Sequence, residues 1–214
     1  MQVAQRGTSA TNSGYGTVDR FRVQYSGTDE APTQEQVDVA SGTTPYTLGF
    51  RKALRITNGN QTSGAGTSDA VHFQYYAESQ DIANSGWNYL SSSSFVTLSF
   101  WIKSSVAQNF QGRVRTRDGT SQNYAFETGS LSADTWTKIT KTIPGNSNLQ
   151  FDNDTAKNFQ TDIFAFLGTD DTSSAVSLDT WATYTSGTQV KDVTSTWYTT
   201  NNATLEITGV QLEV

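Results

Sequence analysis

The sequence predicts an all-β chain: an antiparallel β-sandwich forming one domain over residues 1–214. Three observations lead there. Apolar and polar residues alternate over short runs, and no long window repeats apolar residues at i, i+3, i+4 and i+7. β-Branched and aromatic residues are common where helix formers are sparse. The runs are numerous and separated by Gly and Asx turns, the pattern of two sheets packed face to face.

Taken in order, the first strand is read at Val18–Tyr25, with Phe21, Val23 and Tyr25 on one face. Ala53–Thr57 and Val71–Tyr76 follow. Phe95–Lys103 alternates most clearly: Val96, Leu98, Phe100 and Ile102 share one parity, Thr97, Ser99 and Trp101 the other. Phe110–Arg117 and Asn123–Thr128 flank an Asp118-Gly119 hairpin turn. Trp136–Ile143 stops at Pro144-Gly145. Ile163–Leu167 is apolar at every position, which predicts cover on both faces. Trp181–Tyr184 and Thr204–Val214 complete the set.

In the last strand Leu205 and Ile207 have one parity, and Val210, Leu212 and Val214 the other. A one-residue slip turns a strand inside out unless a bulge absorbs it, which predicts a β-bulge at Gly209. Two polar stretches, Gly27–Thr47 and Gly59–Ser68, read as loops, and residues 1–16 as an N-terminal arm. The chain ends flush with its last strand, which suggests a module of a longer protein.

The composition excludes several chemistries. There is no cysteine, so disulfides and thiolate metal sites are absent. A net charge of −6 argues against a nucleic-acid partner. Met1–Ala10 lacks the apolar segment of a signal peptide, and no run approaches the ~20 apolar residues of a membrane span, so no membrane insertion is expected. Only 16% of residues are charged, and neutral polar residues take their place, which suits a hydroxyl-rich partner or packing against copies of the chain.

Several segments, in this order, carry a resemblance. They are Val3-Ala4-Gln5-Arg6-Gly7-Thr8-Ser9, Thr17-Val18-Asp19-Arg20-Phe21, Val96-Thr97-Leu98-Ser99-Phe100-Trp101-Ile102-Lys103, Asp134-Thr135-Trp136 and Thr142-Ile143-Pro144-Gly145. The chain closes on Leu205-Glu206-Ile207-Thr208-Gly209-Val210-Gln211-Leu212-Glu213-Val214. Together they resemble a module of the tail-fibre and appendage proteins of tailed bacteriophages, similar to the carbohydrate-binding jelly rolls attached to glycoside hydrolases. The resemblance implies a jelly-roll sandwich on the virion surface, assembled in the bacterial host cytoplasm. It further implies a homotrimer, with other virion proteins and a host surface glycan or receptor as partners. It carries over no fixed set of sugar-contact residues. Members of the group often continue past the last strand with Gly and a Pro-Phe-Glu-like segment, whereas this sequence stops at Val214.

Three functions remain open on this sequence: a glycan- or receptor-binding fibre module, a structural head or decoration protein of the virion, and a carboxylate-dependent polysaccharide depolymerase. Catalysis is not the expected one. The single histidine, His72, lies within a strand, and no Gly-x-Ser-x-Gly elbow is present. A depolymerase needs facing carboxylates. Glu78 with Asp81, Asp152 with Asp154, and Asp170 with Asp171 are available, all in turn-like settings.

Exposed aromatic rings stack on pyranose faces. Trp87 and Tyr89, in a Ser/Asn/Gly-rich loop, and Trp197 and Tyr198, before the last strand, are the candidate glycan contacts; the alternative is that they plug the ends of the sandwich. Trp101, of outward parity, is a candidate subunit contact. So are Arg113, Arg115 and Arg117, which form a basic stripe that suits an anionic glycan, a carboxylate-rich neighbouring subunit or a solvated face. No cofactor is expected. Asp152-Asn153-Asp154 raises the question of a structural calcium, against the simpler reading of an Asx turn.

Overall fold

The computed structural model describes all 214 residues. Its strands form two six-stranded antiparallel sheets. The first runs in the order β1 (Ser9–Ala10), β3 (Thr33–Asp38), β4 (Lys52–Thr57), β12 (Thr204–Glu213), β6 (Phe95–Ser104) and β9 (Thr137–Pro144). The second runs β11 (Trp181–Thr183), β8 (Gln122–Ser130), β7 (Asn109–Thr116), β10 (Phe159–Leu167), β5 (Ala70–Ala77) and β2 (Phe21–Ser26). From β4 onward the chain alternates between sheets, staying in one only for the β7–β8 hairpin and for short β11. This is a jelly-roll sandwich.

The alternation read from sequence determines what each strand buries. Leu98, Phe100 and Ile102 of β6 face Val114, Phe126 and Ile163 of the opposite sheet across one core. Removing these side chains from water stabilises the fold by about 1.5–3 kcal/mol for each large one. All nine residues of β10 are buried. Its outward Phe164 lies in a second, smaller cluster with Ala125 and Val190, so the segment between β10 and β12 covers that half of the sheet.

The bulge forms as predicted. Pairing of β12 with β6 shifts register between Thr208 and Gln211, and Gly209 has φ +60°. The side chains of Val210 and Leu212 pack against the core beyond it.

Gly27–Thr47 departs from the loop expectation, because it contains β3 and a single helical turn, Thr44–Thr47. β3 escapes recognition because its buried residue is an amide, not a hydrocarbon. Gln34 accepts from the Gly16 amide at 3.3 Å and donates to Asn12 O at 2.6 Å, while Gln36 donates to Met1 O at 2.8 Å. The polar pattern of the strand thus serves to hold residues 1–16, which also pair through β1 with β3.

Candidate functional site

The aromatic residues chosen from sequence as ligand contacts lie mainly inside the molecule. Trp197 and Tyr198 occupy a single helical turn, Thr196–Thr199, and are fully buried. Trp197 Nε1 donates to Thr204 O at 3.0 Å. Tyr198 stacks on Phe166 at 4.4 Å and donates its hydroxyl to Asp69 Oδ2 at 3.0 Å. Trp87 is buried as well, and Tyr89 is half-buried edge-on to Phe151 at 5.0 Å. These four rings therefore plug the sandwich ends. Their polar, Gly-rich surroundings hide this in sequence, because the apolar partners come from distant strands.

The arginine stripe divides along its length. On the outer face of the second sheet, Arg113 is opposite Asp162, which is opposite Gln74, which is opposite Arg22. Arg113 Nε donates to Asp162 Oδ2 at 2.6 Å, and both side chains are enclosed. Gln74 Nε2 (2.9 Å) and Gln160 Nε2 (2.6 Å) also donate to this carboxylate. Burial of Asp162 disfavours its charge, but the Arg113 guanidinium, with the nearby His72 and the Gln74 contact, outweighs it and holds the carboxyl below its ordinary range. Arg113 is a structural residue and is withdrawn as a subunit contact.

Arg115 and Arg117 remain at the surface. Arg117 Nε donates to Gln160 Oε1 at 3.0 Å, so the buried carboxylate fixes the exposed guanidinium through one amide. Arg115 Nε donates to Ser121 Oγ at 3.1 Å, and its guanidinium lies 3.4 Å from the centre of the Tyr184 ring. Burial, with the nearby charges of Arg117 and Arg113, lowers the proton affinity of Arg115.

Four residues complete this surface: Tyr76, Arg22, Tyr15 and Lys157. Tyr76, on the next strand but one, has Arg22 at 5.8 Å and Arg117 at 5.7 Å from its ring centre. Beyond β2, Arg22 and Lys157 approach Tyr15 at 5.4 and 5.7 Å. Cations and tyrosines thus alternate from Tyr15 to Tyr184 across β2, β5, β10 and β7. At a strand spacing of ~4.8 Å this face extends for roughly 15–20 Å. Tyr76, Tyr15, Arg22, Lys157 and Tyr184 were missed from sequence as site residues. The outward parity of Tyr76 was legible, but strand order was not.

Trp101 is half-buried on the outer face of the other sheet, opposite Thr208 and Lys138. The sandwich therefore separates it from Arg115 and Arg117, and the proposed contact residues do not form one surface.

A hollow of about 330 Å³ opens between the sheets, lined by Phe21, Phe73, Tyr75, Leu98, Val210 and Leu212. Its only polar lining is Arg20, Gln74 and Thr161, which leaves few groups to orient a polyhydroxylated ligand.

The carboxylate pairs serve the backbone and nearby side chains. Asp154 Oδ1 accepts from the Ala156 amide at 3.1 Å, an Asx turn, and Asp152 Oδ1 accepts from Gln150 Nε2 at 3.0 Å. No group of three or more His, Asp or Glu side chains is placed to hold a metal ion, so the calcium expectation at Asp152 and Asp154 finds no ligand set. Asp170 accepts from Ser68 and Thr67, and Asp171 from Gln189. Glu78 accepts from Gln80. Asp118 does more than turn the hairpin: it is buried and accepts from Ser79, Asn158 and the Asp152 amide, tying three loops together. His72 is also on the outer face, its Nε2 3.7 Å from Asp162 Oδ1. Burial lowers its pKa to about 4, with Arg113 and Arg22 reinforcing and Asp162 opposing the shift, so the ring is neutral at pH 7.

No family model and no curated protein matches the sequence. Solved structures do match the fold. The N-terminal cellulose-binding domain of Cellulomonas fimi β-1,4-glucanase C has 13% identity and a TM-score of 0.45, covering 99% of this chain and 97% of that one. A structure described as "CBM4 structure and function" has 14% identity and a TM-score of 0.41, covering 84% and 77%. The enzymatically active domain of bacteriophage CBA120 tailspike protein 4 has 11% identity and a TM-score of 0.47, covering 96% of this chain and 21% of that one. At these values the likenesses carry no information about ligand or source.

Proposed function

We propose that the chain is a non-catalytic glycan-binding module whose site is the outer face of the second sheet, from Tyr15 to Tyr184. The observation that carries this reading is the alternation of tyrosine rings with hydrogen-bonding side chains on a fixed, extended surface. Rings supply stacking faces, and guanidinium and amide groups supply donors for hydroxyl oxygens. The network beneath Arg117 holds it in place before any ligand arrives, which lowers the ordering cost of binding.

The ordered segments from Val3 to Val214 support the finer reading that this module belongs to a fibre or appendage on a bacteriophage virion. In that setting the partner is a host surface glycan and the assembly a homotrimer, with the opposite face around Trp101 available for contacts between copies. Affinity electrophoresis of the chain against a panel of polysaccharides tests the binding reading. Retardation by at least one polysaccharide, lost in Tyr76→Ala and Tyr184→Ala with unchanged melting, is expected. Retardation by none counts decisively against it.

A further inference from the structure

We infer that the ligand of this face is an anionic polysaccharide, one bearing carboxylate or sulfate groups along its chain; this rests on the reading that the face binds glycan. The chain carries a net charge of −6, yet Arg22, Arg115, Arg117 and Lys157 gather on one surface. None of the four is paired with a carboxylate. The carboxylates in the central rows of the face do not neutralise them. Asp162 is enclosed against Arg113, and Glu127, at the far end, accepts from Asn109 Nδ2 at 2.7 Å. Like charges held side by side repel, so their clustering indicates a ligand that supplies the missing negative charge.

The chemistry of the cations narrows the class further. Arg115 is held by its Nε, to Ser121, and Arg117 by its Nε and one terminal nitrogen, both to Gln160, which leaves the other terminal nitrogen of Arg117 uncommitted. A guanidinium fixed in this way keeps other N–H groups free for carboxylate or sulfate oxygens. The tyrosines between the cations meet sugar rings rather than charge. Spacing of cations along roughly 15–20 Å fits charges repeated along a chain better than a single small anion.

The test uses the full chain with four probes: polygalacturonate, dextran sulfate, neutral arabinoxylan and a single-stranded DNA oligonucleotide. Expected is binding to polygalacturonate or dextran sulfate, with the better of the two separating carboxylate from sulfate, and affinity falling as salt rises. Arabinoxylan and DNA are expected to bind at least tenfold more weakly. Arg115→Gln and Lys157→Gln should each lose on the order of tenfold for the acidic probe, and Arg115→Lys should recover part of that loss. Lys157 is exposed, so its variant is insulated from folding defects. Equal or tighter binding to arabinoxylan, abolished by Tyr76→Ala but indifferent to the charge variants, overturns the anionic inference and leaves the glycan reading standing. Tightest binding to DNA overturns the inference in favour of a nucleic-acid partner. Binding to neither acidic probe overturns the anionic inference, and the glycan reading falls with it when the polysaccharide panel also shows no retardation.

Discussion

Arg113 and Asp162 form an ion pair enclosed in the outer layer of the second sheet, Nε to Oδ2 at 2.6 Å, with side chains 6% and 0% exposed. Enclosed charges tolerate each other's company but not each other's loss. Arg113→Met is expected to destabilise the fold by about 3–5 kcal/mol, because it strands a buried carboxylate. Arg113→Met with Asp162→Leu should be more stable than Arg113→Met alone, although Gln74 and Gln160 then lose an acceptor. Urea unfolding of the two single variants and the double variant measures this. A double variant no better than Arg113→Met shows that the pair does not account for the loss.

Gly209 is held by two constraints at once. Its φ of +60° is one that L side chains resist, and a Cβ there meets the Phe50 ring at 2.7 Å. Gly209→Ala is expected to cost about 1–2 kcal/mol from backbone conformation alone, lowering Tm by roughly 2–8 °C. Phe50→Ala should reduce the additional steric part, so the double variant loses less than the sum. Strict additivity in thermal melts argues against contact between them.

The bulge shows what was legible in the sequence. A parity slip beside a glycine is a local signal, and its structural answer is also local. The same holds for β10, where an unbroken apolar run announced cover on both faces. Burial of Trp197 and Tyr198 was not legible, because their cover is distant: Phe166 and Asp69 lie 32 and 129 positions from Tyr198. The proposed binding face was half legible. Arg113, Arg115 and Arg117 announced an outward stripe, but which of them stays at the surface depends on Asp162, some 50 positions on. Tyr76 joins Arg117 only through a strand order that no local pattern encodes.

Trp197 and Trp101 should respond oppositely to truncation. Trp197 is fully buried, so Trp197→Ala is expected to cost about 3–5 kcal/mol. Trp101 is half-buried on the outer face, so Trp101→Glu should leave a folded chain. In the proposed homotrimer the same change places a charge in the contact and should shift the chain to monomer in sedimentation. A trimer unaffected by Trp101→Glu removes that face from the assembly.

His72 makes stability depend on pH in a defined window. Its pKa is near 6.5 in the unfolded chain and about 4 in the fold, the difference arising first from burial. Between those values the unfolded chain binds more protons than the folded one, so stability falls as pH falls. The contribution is complete above about pH 6.5, declines through the window and is lost below about pH 4, amounting to roughly 3 kcal/mol. The Asp162 carboxyl, held below its ordinary range, acts in the same direction but at lower pH. The Met1 amino group, lowered by burial from 8.0, begins to act above the window. Comparison of wild type with His72→Gln removes the imidazole and leaves the Met1 contribution in place. The variant should show a flatter stability profile between pH 6.5 and 4, and, because His72 also helps to hold Asp162 down, a changed slope below it. Parallel profiles for the two proteins across that range mean that His72 takes up its proton in the folded state as readily as in the unfolded one, and that its enclosure beside Arg113 and Arg22 has no electrostatic consequence.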